Sequence, residues 1–96
     1  MKMFNPPHPG EFIKEVYLEE LGVSEREVAL KLKVSPSTLN RLIKGTSSLT
    51  PEMALRLSIT LGRTPESWLA MQDNYSLWVA AKEINLDNVE KLQIPA

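Results

Sequence analysis

The chain of 96 residues contains no cysteine. That excludes a disulfide framework and any thiolate-held metal. Histidine is nearly missing as well: His8 stands alone, so a protein-held zinc would need carboxylates for its other ligands, a rare set. No apolar run approaches the roughly 20 residues needed to cross a bilayer, and the opening MKMFNPPHPG lacks the apolar stretch of a signal peptide. Strand-like alternation of useful length is missing before the C-terminal tail, and there is no internal repeat or low-complexity segment. These gaps set the expectation of one all-α domain (1–96), soluble and cytoplasmic, with no cofactor, metal, membrane partner or small-molecule substrate. A chain of this size buries roughly 60–65% of its unfolded surface, which supports one modest core and no elaborate cleft.

An excess of positive charge is also missing, since the net charge is −1. Nucleic-acid binders usually carry a basic footprint, so the distribution matters more than the sum. Between Glu25 and Thr50, Arg26, Lys31, Lys33, Arg41 and Lys44 face only Glu25 and Glu27, a local charge of +3. The acids gather elsewhere, at Glu11, Glu15, Glu19 and Glu20 and again at Asp73, Glu83, Asp87 and Glu90. A basic surface on an acidic body is compatible with DNA binding by an oligomer.

Punctuation predicts five helices. Gly22, Gly45 and Gly62 sit where helices should stop, and several prolines sit at first helical positions, where the missing N–H costs nothing. Helix 1 spans about Pro9 to Leu21, with Ile13, Val16, Tyr17 and Leu21 as its buried stripe. Helix 2 opens with the capping box of Ser24 and Glu27 and a Val23–Val28 staple; Val28, Ala29 and Leu32 face inward. Helix 3 has Ser35 as N-cap, Pro36 next, a Val34–Leu39 staple, and an end at Gly45. Helix 4 starts at Thr50-Pro51 and buries Ala54, Leu57, Ser58 and Leu61. Helix 5 starts at Thr64-Pro65 and runs to about Glu83 (64–83). The tail, 85–96, has no clear period.

The segment 24–45 carries the functional signal. Lys33-Val34-Ser35 is too short a connector to let helices 2 and 3 run antiparallel, so they must cross steeply, as in a helix-turn-helix. Small Ala29 suits the crossing point. At about 100° per residue, helix 3 divides into an inward face of Leu39, Leu42 and Ile43 and an outward face of Ser37, Asn40, Arg41 and Lys44, with Thr38 at the flank. Every outward side chain can hydrogen-bond and none is acidic. Arg can pair with guanine O6 and N7, and Asn with adenine N6 and N7. Free N–H groups at the starts of helices 2 and 3 suit phosphates. The candidate DNA-binding set is Ser35, Ser37, Thr38, Asn40, Arg41 and Lys44. Lys31 and Lys33 are read first as solubilising, with phosphate contact as the alternative. The competing reading of the whole face is an ordinary solvated surface, but such faces usually mix both charge signs, as helices 1 and 5 do.

These residues resemble the HigA-type antitoxins, within the lambda-repressor-like class of helix-turn-helix regulators. The match spans roughly residues 6–82. It is carried by His8-Pro9-Gly10-Glu11, Leu21-Gly22-Val23-Ser24, the helix-turn-helix with Ala29, Val34-Ser35 and Gly45, Thr50 through Leu57, Pro65-Glu66-Ser67-Trp68-Leu69, and Gln72 through Tyr75. The resemblance implies a protein that binds operator DNA as a homodimer, represses its own operon, and neutralises a partner protein toxin, an mRNA-cleaving ribonuclease. It places base reading at Ser37, Thr38, Asn40 and Arg41. Two positions depart from the commoner pattern. Lys33 stands where glycine is usual and a positive φ is often needed, at about 1 kcal/mol for a side chain. Pro36 stands where a polar residue often meets DNA.

Helix 5 bears an aromatic stripe of Trp68, Met71, Tyr75 and Trp78 or Val79. Trp68 and Leu69 are expected in the core. Met71, Tyr75, Trp78 and Val79 are the candidate dimerisation residues, because aromatics and Met are enriched at interfaces. His8 reads as a cap on helix 1 rather than a catalytic or metal-binding group, and Glu11 as a favourable charge at a helix start. No catalytic constellation stands out, so an enzyme is the weakest reading. A transcription factor without a toxin and a protein-interaction domain that has abandoned DNA stay open.

Overall fold

The computed structural model describes residues 5–95; residues 1–4 and Ala96, the last residue of the expected tail, lie outside the described residues. Helix α1 (Pro9–Ile13) continues without a break into a π-helical segment, Lys14–Glu19. It is followed by α2 (Glu25–Leu32), α3 (Pro36–Ile43), α4 (Pro51–Thr60) and α5 (Pro65–Glu83). There is no strand among the described residues.

Each helix begins as its punctuation predicts. His8 Nδ1 accepts the Gly10 N–H at 2.9 Å. Ser24, Ser35, Thr50 and Thr64 each accept the N–H three residues on, at 3.0, 3.1, 3.2 and 3.1 Å. Such caps satisfy donors that the helix itself leaves unpaired, each worth about 1 kcal/mol. Every helix then sends apolar side chains to one core: Ile13, Val28, Ala29, Leu32, Leu39, Leu42, Ala54, Leu57 and Trp68, joined by Leu49 from the loop before α4.

Helix 1 departs from expectation after Ile13. Val16 and Leu21, expected inside, are 38% and 64% exposed. The wider π turn advances the chain by less than an α turn per residue, so the stripe shifts: Tyr17 packs on the core as expected, and Leu18 joins it in place of Val16 and Leu21. The Tyr17 hydroxyl also reaches the Leu61 carbonyl at 3.4 Å. The close packing of α1 on α3 depends on Gly10. A Cβ there would collide with the Leu42 carbonyl oxygen and lie 2.6 Å from its carbon and 2.7 Å from the Ile43 Cα.

The turn between α2 and α3 is strained as the sequence suggested. Lys33 has φ 62 and ψ 41, and the Val34 N–H closes the turn on the Ala29 carbonyl at 3.1 Å. Arg56 of α4 supports it from outside. Its Nη1 donates to the Leu32 carbonyl at 2.8 Å and the Lys33 carbonyl at 3.4 Å, while Glu52 holds its Nη2 at 3.1 Å. A cation is thereby set on the negative end of α2. Arg63 also has a positive φ of 66. Its guanidinium lies 5.0 Å from the Phe12 ring centre and 5.6 Å from that of Trp68.

Two polar bonds tie α5 to the body. Trp68 Nε1 donates to the Gly62 carbonyl at 2.8 Å. Buried Gln72 accepts the Leu49 N–H at 2.8 Å and donates to Ser76 Oγ at 3.0 Å. Beyond Gln72 the helix has no buried residue, and the tail that follows is exposed and irregular.

Candidate nucleic-acid interface

Helix α3 packs through Leu39 and Leu42, with Ile43 half-buried. That fixes which face it offers. Ser35, Ser37, Arg41 and Lys44 are exposed, and Thr38 and Asn40 are half-buried at the edges. The six expected DNA-binding residues therefore line the outer surface of α3 and its two caps, Ser35 and Lys44.

At its start the hydroxyls form a cluster. Ser35 Oγ is 2.8 Å from Thr38 Oγ1 and 3.1 Å from Ser37 Oγ. Pro36 has no N–H and that of Thr38 is taken by Ser35, so of the first three α3 positions only Ser37 keeps an N–H for an anion. Asn40 is not simply facing solvent: its Nδ2 donates to Glu25 Oε1 of α2 at 2.8 Å.

The helix end is closed by the following loop. Gly45 has φ 78, and Thr46 binds the Arg41 carbonyl through both its N–H at 3.0 Å and its hydroxyl at 3.1 Å. Arg41 shares a shallow depression of about 190 Å³ with Thr38, Ser47, Ser48 and Thr50. Sequence reasoning missed Ser47 and Ser48 as part of this surface. The signal was present, since Thr46-Ser47-Ser48 is a run of small hydroxyl residues directly after the expected recognition helix.

His8 sits behind the interface, buried. Its ring meets Tyr75 edge-on with centres 4.9 Å apart. Burial holds its pKa below the usual 6.5, although a hydrogen bond with the Ser47 backbone and the charge of Glu11 oppose the shift. Among the described residues no three His, Asp or Glu side chains gather as metal ligands, and no helix is long and apolar enough to cross a membrane.

The geometry is thus two packed helices joined by a short left-handed turn, with an exposed second helix that is rich in donors and free of acid. A family model described as helix-turn-helix (HTH_3) matches residues 13–69. The chain belongs to this helix-turn-helix family. Among its relatives is the uncharacterized HTH-type transcriptional regulator YddM of Escherichia coli (strain K12), 45% identical over 96% of this chain and 97% of that protein. Antitoxin HigA-1 of Vibrio cholerae is 37% identical over 76% of this chain and 69% of that protein. Among solved structures, antitoxin GraA in complex with its operator is 33% identical, covers 98% of both chains and has a TM-score of 0.87. The similarity to GraA therefore extends past the helix-turn-helix match, across α5 and into the tail.

On α5, the four candidate dimerisation residues are all half-buried. Met71 packs against the core. Tyr75 is shared between His8 and Trp78, whose ring centre lies 6.4 Å away. Lys82 Nζ covers the Trp78 ring at 4.0 Å. Val79 lines a groove of about 310 Å³ with Tyr75, His8, Ser47 and Ile84. The most exposed large apolar side chain on this helix is Leu77, at 60%.

Proposed function

We propose that this chain is an antitoxin and transcriptional autorepressor. It binds operator DNA as a homodimer through α3 and neutralises a partner mRNA-cleaving toxin. The observation that carries the DNA part is the α3 face: six hydrogen-bonding side chains with no carboxylate of their own, held outward by buried Leu39 and Leu42. The similarity to antitoxin GraA in complex with its operator and to antitoxin HigA-1 supports the same reading. In the mechanism, α3 enters the major groove and Arg41 and Asn40 read base edges, while Ser35, Ser37, Thr38 and Lys44 fix the register on sugar and phosphate. Pairing through Tyr75, Trp78 and Val79, with Met71 at the edge of the core, sets two recognition helices about 34 Å apart on a palindrome.

In this reading the protein works in the cytoplasm, is not an enzyme and needs no cofactor. The chain's one histidine is committed to capping α1. A stand-alone regulator without a toxin is the second reading, in line with the similarity to the HTH-type transcriptional regulator YddM. A toxin-sized reading frame beside this gene, whose product co-purifies with the chain, separates the two.

The test of the DNA part is a titration against the chain's own upstream promoter and a scrambled duplex at two salt concentrations. Tight promoter-preferring binding whose log K falls linearly with log salt is expected; equal or absent binding to both duplexes contradicts it. Arg41→Ala is expected to weaken operator binding by about 1–3 kcal/mol.

A further inference from the structure

The bond between Glu25 and Asn40 joins the first residue of α2 to the fifth of α3. Among the described residues it is the side-chain hydrogen bond that spans the two helices of the motif. Its chemistry is one-sided. A carboxylate only accepts, so the Asn40 amide meets Glu25 through nitrogen; a flipped amide would set oxygen against oxygen. One N–H of Nδ2 and the lone pairs of Oδ1 are left for other partners. With Glu25 on the N–H that points away from Oδ1, the outer edge of the amide is one donor beside one acceptor. That pair matches the major-groove edge of adenine, where N6–H donates and N7 accepts.

Asn40 is held at the rim of the α3 face, where Glu25, Lys14 and Lys44 line the same shallow depression. We infer that Glu25 is a specificity-determining positioning residue, whose carboxylate fixes the Asn40 amide in the orientation that reads adenine. The inference rests on the DNA-binding reading above. A purely structural Glu25 would only favour the start of α2 through the helix dipole, and a backbone clamp would hold phosphate without regard to sequence.

The test compares wild type, Glu25→Gln, Glu25→Ala, Asn40→Ala and the Glu25→Gln/Asn40→Ala double variant. Each is titrated at one salt concentration against the operator, a scrambled duplex, and operators carrying one substituted base pair at a time, and each is melted thermally. Asn40→Ala is expected to lose roughly 5- to 100-fold discrimination at one A·T pair. Glu25→Ala is expected to lose most of that discrimination at the same pair, and Glu25→Gln part of it, because its amide accepts from or donates to Asn40 in either orientation. Both Glu25 variants should still bind scrambled duplex at least as tightly as wild type, because a negative charge has gone from the DNA side. The double variant should discriminate no worse than Asn40→Ala. Discrimination kept by both Glu25 variants, or affinity lost equally for every sequence, overturns the positioning role. A wild type without operator preference overturns the DNA reading itself, and the scrambled-duplex arm tells the two failures apart.

Discussion

The body, from His8 to Gln72, and the arm, from Asp73 through the tail, are built from similar residues but end differently. In the body each helix is capped and sends side chains to one core. In the arm, Leu77, Ile84, Leu86, Val89, Leu92 and Ile94 are all exposed. The shape shows the contrast. The radius of gyration is 16.6 Å, with extents of 54 × 25 × 21 Å, against about 12.5 Å for a compact chain of this length. Capping and burial give the body a shared core, with Leu21, Leu30, Leu55 and Ile59 left exposed around it. Beyond Gln72 the arm buries no residue of its helix and leaves those six large apolar side chains to solvent, where exposed apolar groups favour association.

The strongest way to break this contrast is inside the body. Gly10→Ala puts a methyl into the backbone of Leu42 and Ile43, and is expected to destabilise by about 3 kcal/mol in denaturant unfolding. An unchanged midpoint would mean α1 and α3 do not pack this closely. Next comes the arm. Trp78→Ala with Val79→Ala is expected to leave the monomer's core intact, by near-UV circular dichroism, while weakening self-association by about 2 kcal/mol in sedimentation equilibrium. Loss of the core signal would show that the arm is part of the body after all.

A smaller effect has the opposite sign. Lys33→Gly removes a side chain from a left-handed position and is expected to stabilise by about 1 kcal/mol, provided Arg56 keeps its grip on the Leu32 carbonyl. Chemical denaturation checks it. The smallest effect is that of pH at His8, where the two regions touch through Tyr75. Its folded pKa lies below 6.5, so the unfolded chain binds the proton better. Its contribution is fully present above about pH 6.5 and declines as pH falls below that value. His8→Asn, which keeps an acceptor for the Gly10 N–H, should flatten the fall in melting temperature between pH 7.5 and 5.5, pH values chosen to bracket the ordinary histidine range.

Local features were legible in the sequence. The caps at Ser24, Ser35, Thr50 and Thr64, the burial of small Ala29, and the division of α3 into two faces all follow from spacing and residue type. What escaped depends on distant partners. Nothing near Lys14–Glu19 announces the π turn, so Val16 and Leu21 were placed on the wrong face. Gly10 could have been suspected, because glycine inside a first helical turn has no local benefit and often marks close packing. The grip of Arg56 on the end of α2 and that of Glu25 on Asn40 join residues 24 and 15 positions apart, separations no helical period reports. Met71 shows the same limit: on the stripe it looks like Tyr75, yet it packs on the core.

The most direct test of the account is a hydroxyl-radical footprint of the full chain on the DNA upstream of its own reading frame. The account predicts two protected patches related by a two-fold axis, with centres one helical turn apart, about 34 Å, and both weakened together by Arg41→Ala. A single isolated patch, or protection no different from that on scrambled DNA, would contradict it.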